Sequence, residues 1–130
     1  MRGGINLVKH SVCHFEWSST DLERTKKFLT GLFGWEFKAW GDEYLLFDPP
    51  QGPGGGIMKV DKVIPGKSPA IYIEVDEIEP YLEKTPGLGG TVDTPKTEIP
   101  TIGWHAHVLD PDGNIIGLFQ NLPKDQQPAP

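Results

Sequence analysis

An α+β fold built from two copies of a β-α-β-β-β unit is predicted by three features of this 130-residue chain. The pattern of alternating and helical segments runs through that order once and then again. Two turns echo each other, "LFDPPQG" (Leu46 to Gly52) and "VLDPDGN" (Val108 to Asn114), which sets an internal repeat of roughly 55–60 residues. Sixteen Gly and thirteen Pro supply many turns and favour short strands over long helices.

The elements follow in order. Val12 to Trp17 alternates, with Cys13, Phe15 and Trp17 on one face and His14 and Glu16 on the other. In "TDLERTKKFLTGLFGW", Thr20 is a candidate N-cap with Glu23 three residues on, the pattern of a capping box. Leu22, Thr25, Phe28, Leu29 and Leu32 recur at helical spacing, and Gly34 stops the helix. Trp35 to Ala39, Tyr44 to Asp48 and Ile57 to Val60 read as short strands. A linker over Ile64 to Ser68 leads into the second copy. There "AIYIEV" places Ala70, Tyr72 and Glu74 on one face, and Asp76 with Glu79 repeats the capping pattern ahead of a short helix. Thr91 to Thr94, Trp104 to Leu109 and Ile115 to Gln120 complete the count. One domain is expected, with modules at 10–62 and 69–122 and a loose tail at 123–130. Each copy has one helix to cover one sheet face, so the other face must be covered or line a cleft.

Composition removes several function classes. Net charge is −6 and no Lys or Arg run occurs, so neither nucleic acid nor an anionic membrane is an expected partner. No apolar stretch reaches membrane-spanning length, and the N-terminal stretch lacks a signal-peptide h-region. The expected location is the cytoplasm. Cys13, the single cysteine, permits neither an internal disulfide nor a cysteine-based metal site; it reads as an inert buried thiol. "GPGGG" (Gly52 to Gly56) is not followed by a helix or by Lys-Ser/Thr, so it is not a phosphate loop. Asp110-Pro111-Asp112-Gly113 reads as a structural turn.

Four segments together, "HFEWSSTDLERTKKFLTGLFGWEF", "GGGIMKV", "YIEVDEIEPYL…GG" and "DPDGNIIGLFQ", resemble the vicinal oxygen chelate superfamily, which includes glyoxalase I, bleomycin-resistance proteins and extradiol dioxygenases. The likeness extends over about nine tenths of the chain. It implies curled mixed sheets around a cleft with helices outside, a small-molecule ligand and a homodimer. In the metal-dependent members, the first and last strand of each module supply one ligand apiece to a divalent ion. Carried over by position, the first ligand is His14, which matches. The second module's first-strand position is Ala70, which cannot ligate. The last-strand positions fall on Gly117, where metal enzymes carry Glu, and on Gly56 or Met58 in the first module. One ligand of four survives, and no resident cofactor is expected.

The His105 and His107 pair, two apart on a strand, share one face, and the resemblance turns that face toward the cleft. Trp104, Ala106 and Val108 then lie under the helix. Two function classes stay open. In one, His14, Glu16, Tyr72, Glu74, His105 and His107 line a ligand-binding face of a glyoxalase-like or bleomycin-resistance-like protein. In the other, the protein is an enzyme of lyase, isomerase or dioxygenase type. It would use either a displaced Zn, Ni, Mn or Fe ion on His14 and His107, or acid–base chemistry at His107 and Glu16. Trp17, Phe28, Phe33 and Trp35 are assigned to the core, and Trp40 is a candidate lid residue.

Overall fold

The structure is a computed structural model and describes residues 9–127. Of the expected tail, residues 128–130 lie outside the described residues; Lys124–Gln126 forms a turn of 3₁₀ helix. The chain divides into two compact units, His14–Ala70 and, with residues 9–13, the segment from Ile71 onward.

The first unit holds β1 (Val12–Ser19, from His14 on), α1 (Leu22–Phe33), β2 (Phe37–Ala39), β3 (Tyr44–Phe47) and β4 (Gly55–Lys59). Its sheet runs in the order β2-β3-β4-β1; β4 pairs with β1 in parallel and with β3 antiparallel. The helix is capped by Asp21, not Thr20. Asp21 has extended backbone, φ −151°, and accepts from the Arg24 amide at 3.1 Å. Thr20 instead accepts from the Arg24 guanidinium. Gly34, with φ 73°, closes the other end and donates to the Thr30 carbonyl.

Leu29 of α1, Leu45 and Ile57 form the buried core of this unit, with Trp17, Leu22, Trp35 and Phe37 packed against it. The core assignment is wrong for Phe28 and Phe33, which are 64% and 58% exposed. A helix meets a sheet along a narrow stripe. With Leu29 at its centre, Phe28 is turned aside by one residue's rotation of about 100°. Phe33 lies at the helix end and rests its ring on Trp35, centroids 5.0 Å apart.

The second unit repeats the plan with β5 (Ala70–Glu74, from Ile71 on), α2 (Glu79–Lys84), β6 (Thr91–Ile99), β7 (Gly103–Leu109) and β8 (Ile115–Asn121). Its order, β5-β8-β7-β6, matches the first: β5 and β8 are parallel and the remaining pairs antiparallel. The backbone of His10 and Ser11 bonds to Glu74. Val75, Ile78, Ala106 and Leu118 are buried here, with Tyr81, Leu82, Trp104 and Val108 around them, so Trp104, Ala106 and Val108 do pack beneath α2. The expected capping box is absent. Asp76 accepts from its neighbour Glu77, and Ile78, at the cap position, is held through its amide by Gln120 Oε1 at 3.0 Å. Strand β6 runs five residues past Thr94; Pro95 is tolerated because β6 is an edge strand with two register shifts. Both units are therefore α+β, each a four-stranded mixed sheet with a helix on one face. Among the described residues no helix is long and apolar enough to cross a membrane.

Candidate functional site

In each unit the sheet face away from the helix carries polar residues, and alternation decides which. In the first unit Trp17, Ile57 and Leu45 face the helix, so His14, Glu16, Gly56, Leu46 and Tyr44 face the other way. Gly56 lies directly between Glu16 on β1 and Leu46 on β3. Tyr44, one pleat along from Leu46, lays its ring over Gly56. A Cβ built on Gly56 would overlap the ring and its hydroxyl. The ring thereby crosses β4 and its hydroxyl reaches β1, where it donates to Glu16 Oε2 at 2.8 Å and meets His14 Nε2 at 2.9 Å.

The tyrosine has one proton, and it points to Glu16. His14 must then donate through Nε2, which fixes its tautomer. The donors run in one direction, from His14 through Tyr44 to Glu16. His14 is only 1% exposed, and burial pushes its pKa down to about 3, so the ring is neutral at physiological pH.

The second unit makes the same crossing with the residue types exchanged. Gly117 on β8 lies between Tyr72 on β5 and His107 on β7. The Tyr72 ring covers Gly117: a Cβ there would overlap the ring edge and stand 2.7 Å from Cγ. The hydroxyl meets His107 Nε2 at 2.6 Å, and the two rings pack edge to face. His105 lies one pleat along, its ring centroid 5.3 Å from that of His107. Across from it, on the far side of Phe119, is Glu74. Burial lowers the pKa of His105 and raises that of Glu74.

The predicted residues thus separate by unit. His14 and Glu16 come together in the first; Tyr72, Glu74, His105 and His107 share one face of the second. Tyr72 is 2% exposed, more deeply set than a surface ligand contact would be. Cys13 is buried as expected, its thiol pushed up to about 12 by burial and by the nearby Glu74. Trp40 is 46% exposed. Sequence reasoning missed Tyr44. Its signal was faint: in "YLLF" the tyrosine shares a face with Leu46, and only the pairing register reveals Gly56 between that strand and Glu16.

These positions can be tested against the ion that the superfamily's metal enzymes hold. Ala70 offers a methyl group. Gly56 and Gly117 offer no side chain, and tyrosine rings fill the space a side chain would enter; Met58, the other candidate in the first module, brings a thioether and no carboxylate. At His14, the Nε2 atom that would face an ion is engaged by Tyr44. Among the described residues no three His, Cys, Asp or Glu side chains converge as a metal-holding group. The residues present do not fit that ion.

Two units of identical strand order, each with one parallel strand pair and a helix on one face, define a paired β-α-β-β-β protein. A family model described as the Glyoxalase/Bleomycin resistance protein/Dioxygenase superfamily matches residues 11–118, and the chain belongs to that superfamily. It is 29% identical over 119 residues to the "Putative glyoxylase CFP32" of Mycobacterium bovis and of Mycobacterium tuberculosis. The match covers 78% of this chain and 42% of theirs, so the chain spans about two fifths of the length of these relatives. Among solved structures, a superfamily member from Vibrio splendidus 12B01 superposes with a TM-score of 0.65 at 17% identity, covering 87% of this chain and all of that one (100%). Methylmalonyl-CoA epimerase from Mycobacterium tuberculosis gives 0.63 at 14% identity, with 93% and 96% covered. Likeness at these identities establishes the fold alone.

Proposed function

We propose that this protein binds a small organic molecule on its helix-free sheet faces, without the divalent ion typical of the superfamily's enzymes. The observation that carries the reading is the pair of tyrosines seated on glycine. In both units a ring covers a glycine at a candidate last-strand ligand position, Gly56 in the first and Gly117 in the second, and its hydroxyl is tied to a histidine. Polar groups buried in this way cost stability unless they are hydrogen-bonded, so fully apolar residues would serve a purely structural role better. Retaining imidazole, phenol and carboxylate together on one face suits a ligand that needs several directional partners.

A thermal-shift screen tests this. The panel holds glutathione-derived thiol hemiacetals, catechols and organic cations, each measured with and without a chelator such as EDTA. At least one class should raise the melting temperature, and the chelator should leave that shift unchanged. A shift abolished by EDTA and restored by one added metal ion would contradict the reading.

A second reading has its own observation. The donor order His14, Tyr44, Glu16 makes Glu16 the acceptor at the end of this part-buried relay, the position of a general base. An isomerase or lyase that takes a proton next to a carbonyl would use it there. Solvent-deuterium incorporation into any compound found in the screen separates this reading from simple binding.

A further inference from the structure

Helix α1 carries apolar side chains that its own sheet does not use. Phe28 and Leu32 lie four residues apart and are 64% and 59% exposed. Round the helix axis they stand about 100° and 60° from the buried Leu29, both on the same side of it. They form one stripe beside the sheet contact. Phe33 falls on the other side of Leu29 and rests on Trp35. Arg24 and Gly31 carry the stripe further from the sheet, and both are exposed. Gly31 sits inside a helix, where glycine is a weaker helix former than alanine. A Cβ built on it would meet no atom within 4 Å among the described residues, so packing within the unit does not call for a glycine there.

We infer that this stripe is a dimer contact, on which a second copy of the chain lays its own α1 antiparallel across a two-fold axis. Centred near Thr30, the pairing sets Phe28 of each copy against Leu32 of the other, and Gly31 lets the two backbones approach closely. Charge selects both the orientation and the occupant. Arg24 lies toward the N-terminal end of α1, the last turn holds no basic residue, and the exposed Glu36 follows the Gly34 cap. Antiparallel packing brings each Arg24 to the C-terminal carbonyls and Glu36 of the other copy. Parallel packing would set Arg24 against Arg24. The stripe reversed is thus its own complement. An anionic membrane, the other surface that suits a helix with apolar and basic residues, is opposed by the net charge of −6. Area sets the strength. Phe28 and Leu32 expose roughly 250 Å² per copy, against about 800 Å² per partner in a standard interface. The dimer is therefore reversible, dissociating at about 10–100 μM.

Sedimentation equilibrium of the full chain from about 5 to 500 μM tests this. The protein should run as a monomer at the low end and as a dimer at the high end. Phe28→Glu, at an exposed position, should keep the melting temperature and leave a monomer throughout. Gly31→Ala gives a pair of signs that a purely structural role does not. It should raise the melting temperature of the dilute monomer, because the methyl has open space on a helix, yet weaken the dimer about tenfold by holding the helices apart. Arg24→Glu should weaken the dimer as well, and adding Glu36→Arg should restore it. Should Phe28→Glu fail to fold, Gly31→Ala and the charge exchange decide alone. A monomer over the whole range, a dimer indifferent to Phe28→Glu or to Gly31→Ala, or a charge exchange that restores nothing would each overturn the inference. Flotation with anionic vesicles that Phe28→Glu abolishes would overturn it too, by making a membrane the occupant of the stripe.

Discussion

Replacing Gly117 with Ala is expected to destabilise the protein by about 3 kcal/mol, which lowers the melting temperature by roughly 6–12 °C in a chain of this size. The added methyl would overlap the edge of the Tyr72 ring and stand 2.7 Å from its Cγ. That atom is near the root of the side chain, so the ring cannot escape by swinging its tip. The whole side chain must leave a site where it is 2% exposed, and its bond to His107 Nε2 is lost with it. A purely local glycine effect predicts the reverse sign, because alanine is the better strand residue where space allows. The double variant Tyr72→Ala/Gly117→Ala distinguishes the two. With the ring gone, the alanine should cost almost nothing, so the two changes should be strongly non-additive in urea denaturation. Additive effects would mean that the glycine does not seat the ring. Gly56→Ala should cost less, because the overlapped atoms belong to the outer end of Tyr44 and can move aside.

Acid should unfold the protein through His14. The ordinary histidine pKa is 6.5, and burial holds His14 near 3. The unfolded chain therefore takes up a proton below pH 6.5 that the folded chain refuses. Stability contributed by the neutral ring is complete above pH 6.5 and is lost as pH falls toward 3. Between pH 6.5 and 4.5 the expected loss is about 2–3 kcal/mol, before most carboxylates titrate. His105, lowered by burial, adds in the same direction. Glu74 acts oppositely: its raised pKa makes the folded state gain relative stability as pH falls. Comparing the wild type with His14→Gln cancels both. Glutamine donates to Tyr44 as the imidazole does but does not titrate, so the variant should show that much less loss over the same pH range in urea titrations. Equal acid sensitivity in the two proteins would place the neutral imidazole elsewhere.

Much of the fold was legible because it rests on local chemistry. Alternation in "VCHFEW" and "AIYIEV" gave the strand faces, and Gly34 marked the end of α1 at its positive φ. The pairing of His105 with His107 on one face followed from strand period alone. What failed depended on competition between near-equal options. Asp21 and Thr20 are both good caps, and the backbone conformation of Asp21 chose between them. Phe28 and Leu29 are both apolar, and the narrow contact of α1 with its sheet took Leu29. The site showed the same division. Its histidines and carboxylates were visible, since their types are scarce and chemically distinct. Tyr44 was hidden, because its role exists only through Gly56, a residue with no side chain, on a strand paired by long-range register. Gly56 and Gly117 could be read as lost ligands; that they are seats for aromatic rings depends on strand register and ring placement, which no local pattern encodes.

Metal content tests the account's central claim most directly. The protein should be produced without an affinity tag and purified without chelators, then measured by elemental analysis for zinc, nickel, manganese and iron. With Tyr44 and Tyr72 covering Gly56 and Gly117, each metal should remain far below one ion per chain, and His14→Ala should change nothing. One ion per chain that disappears in His14→Ala would contradict it.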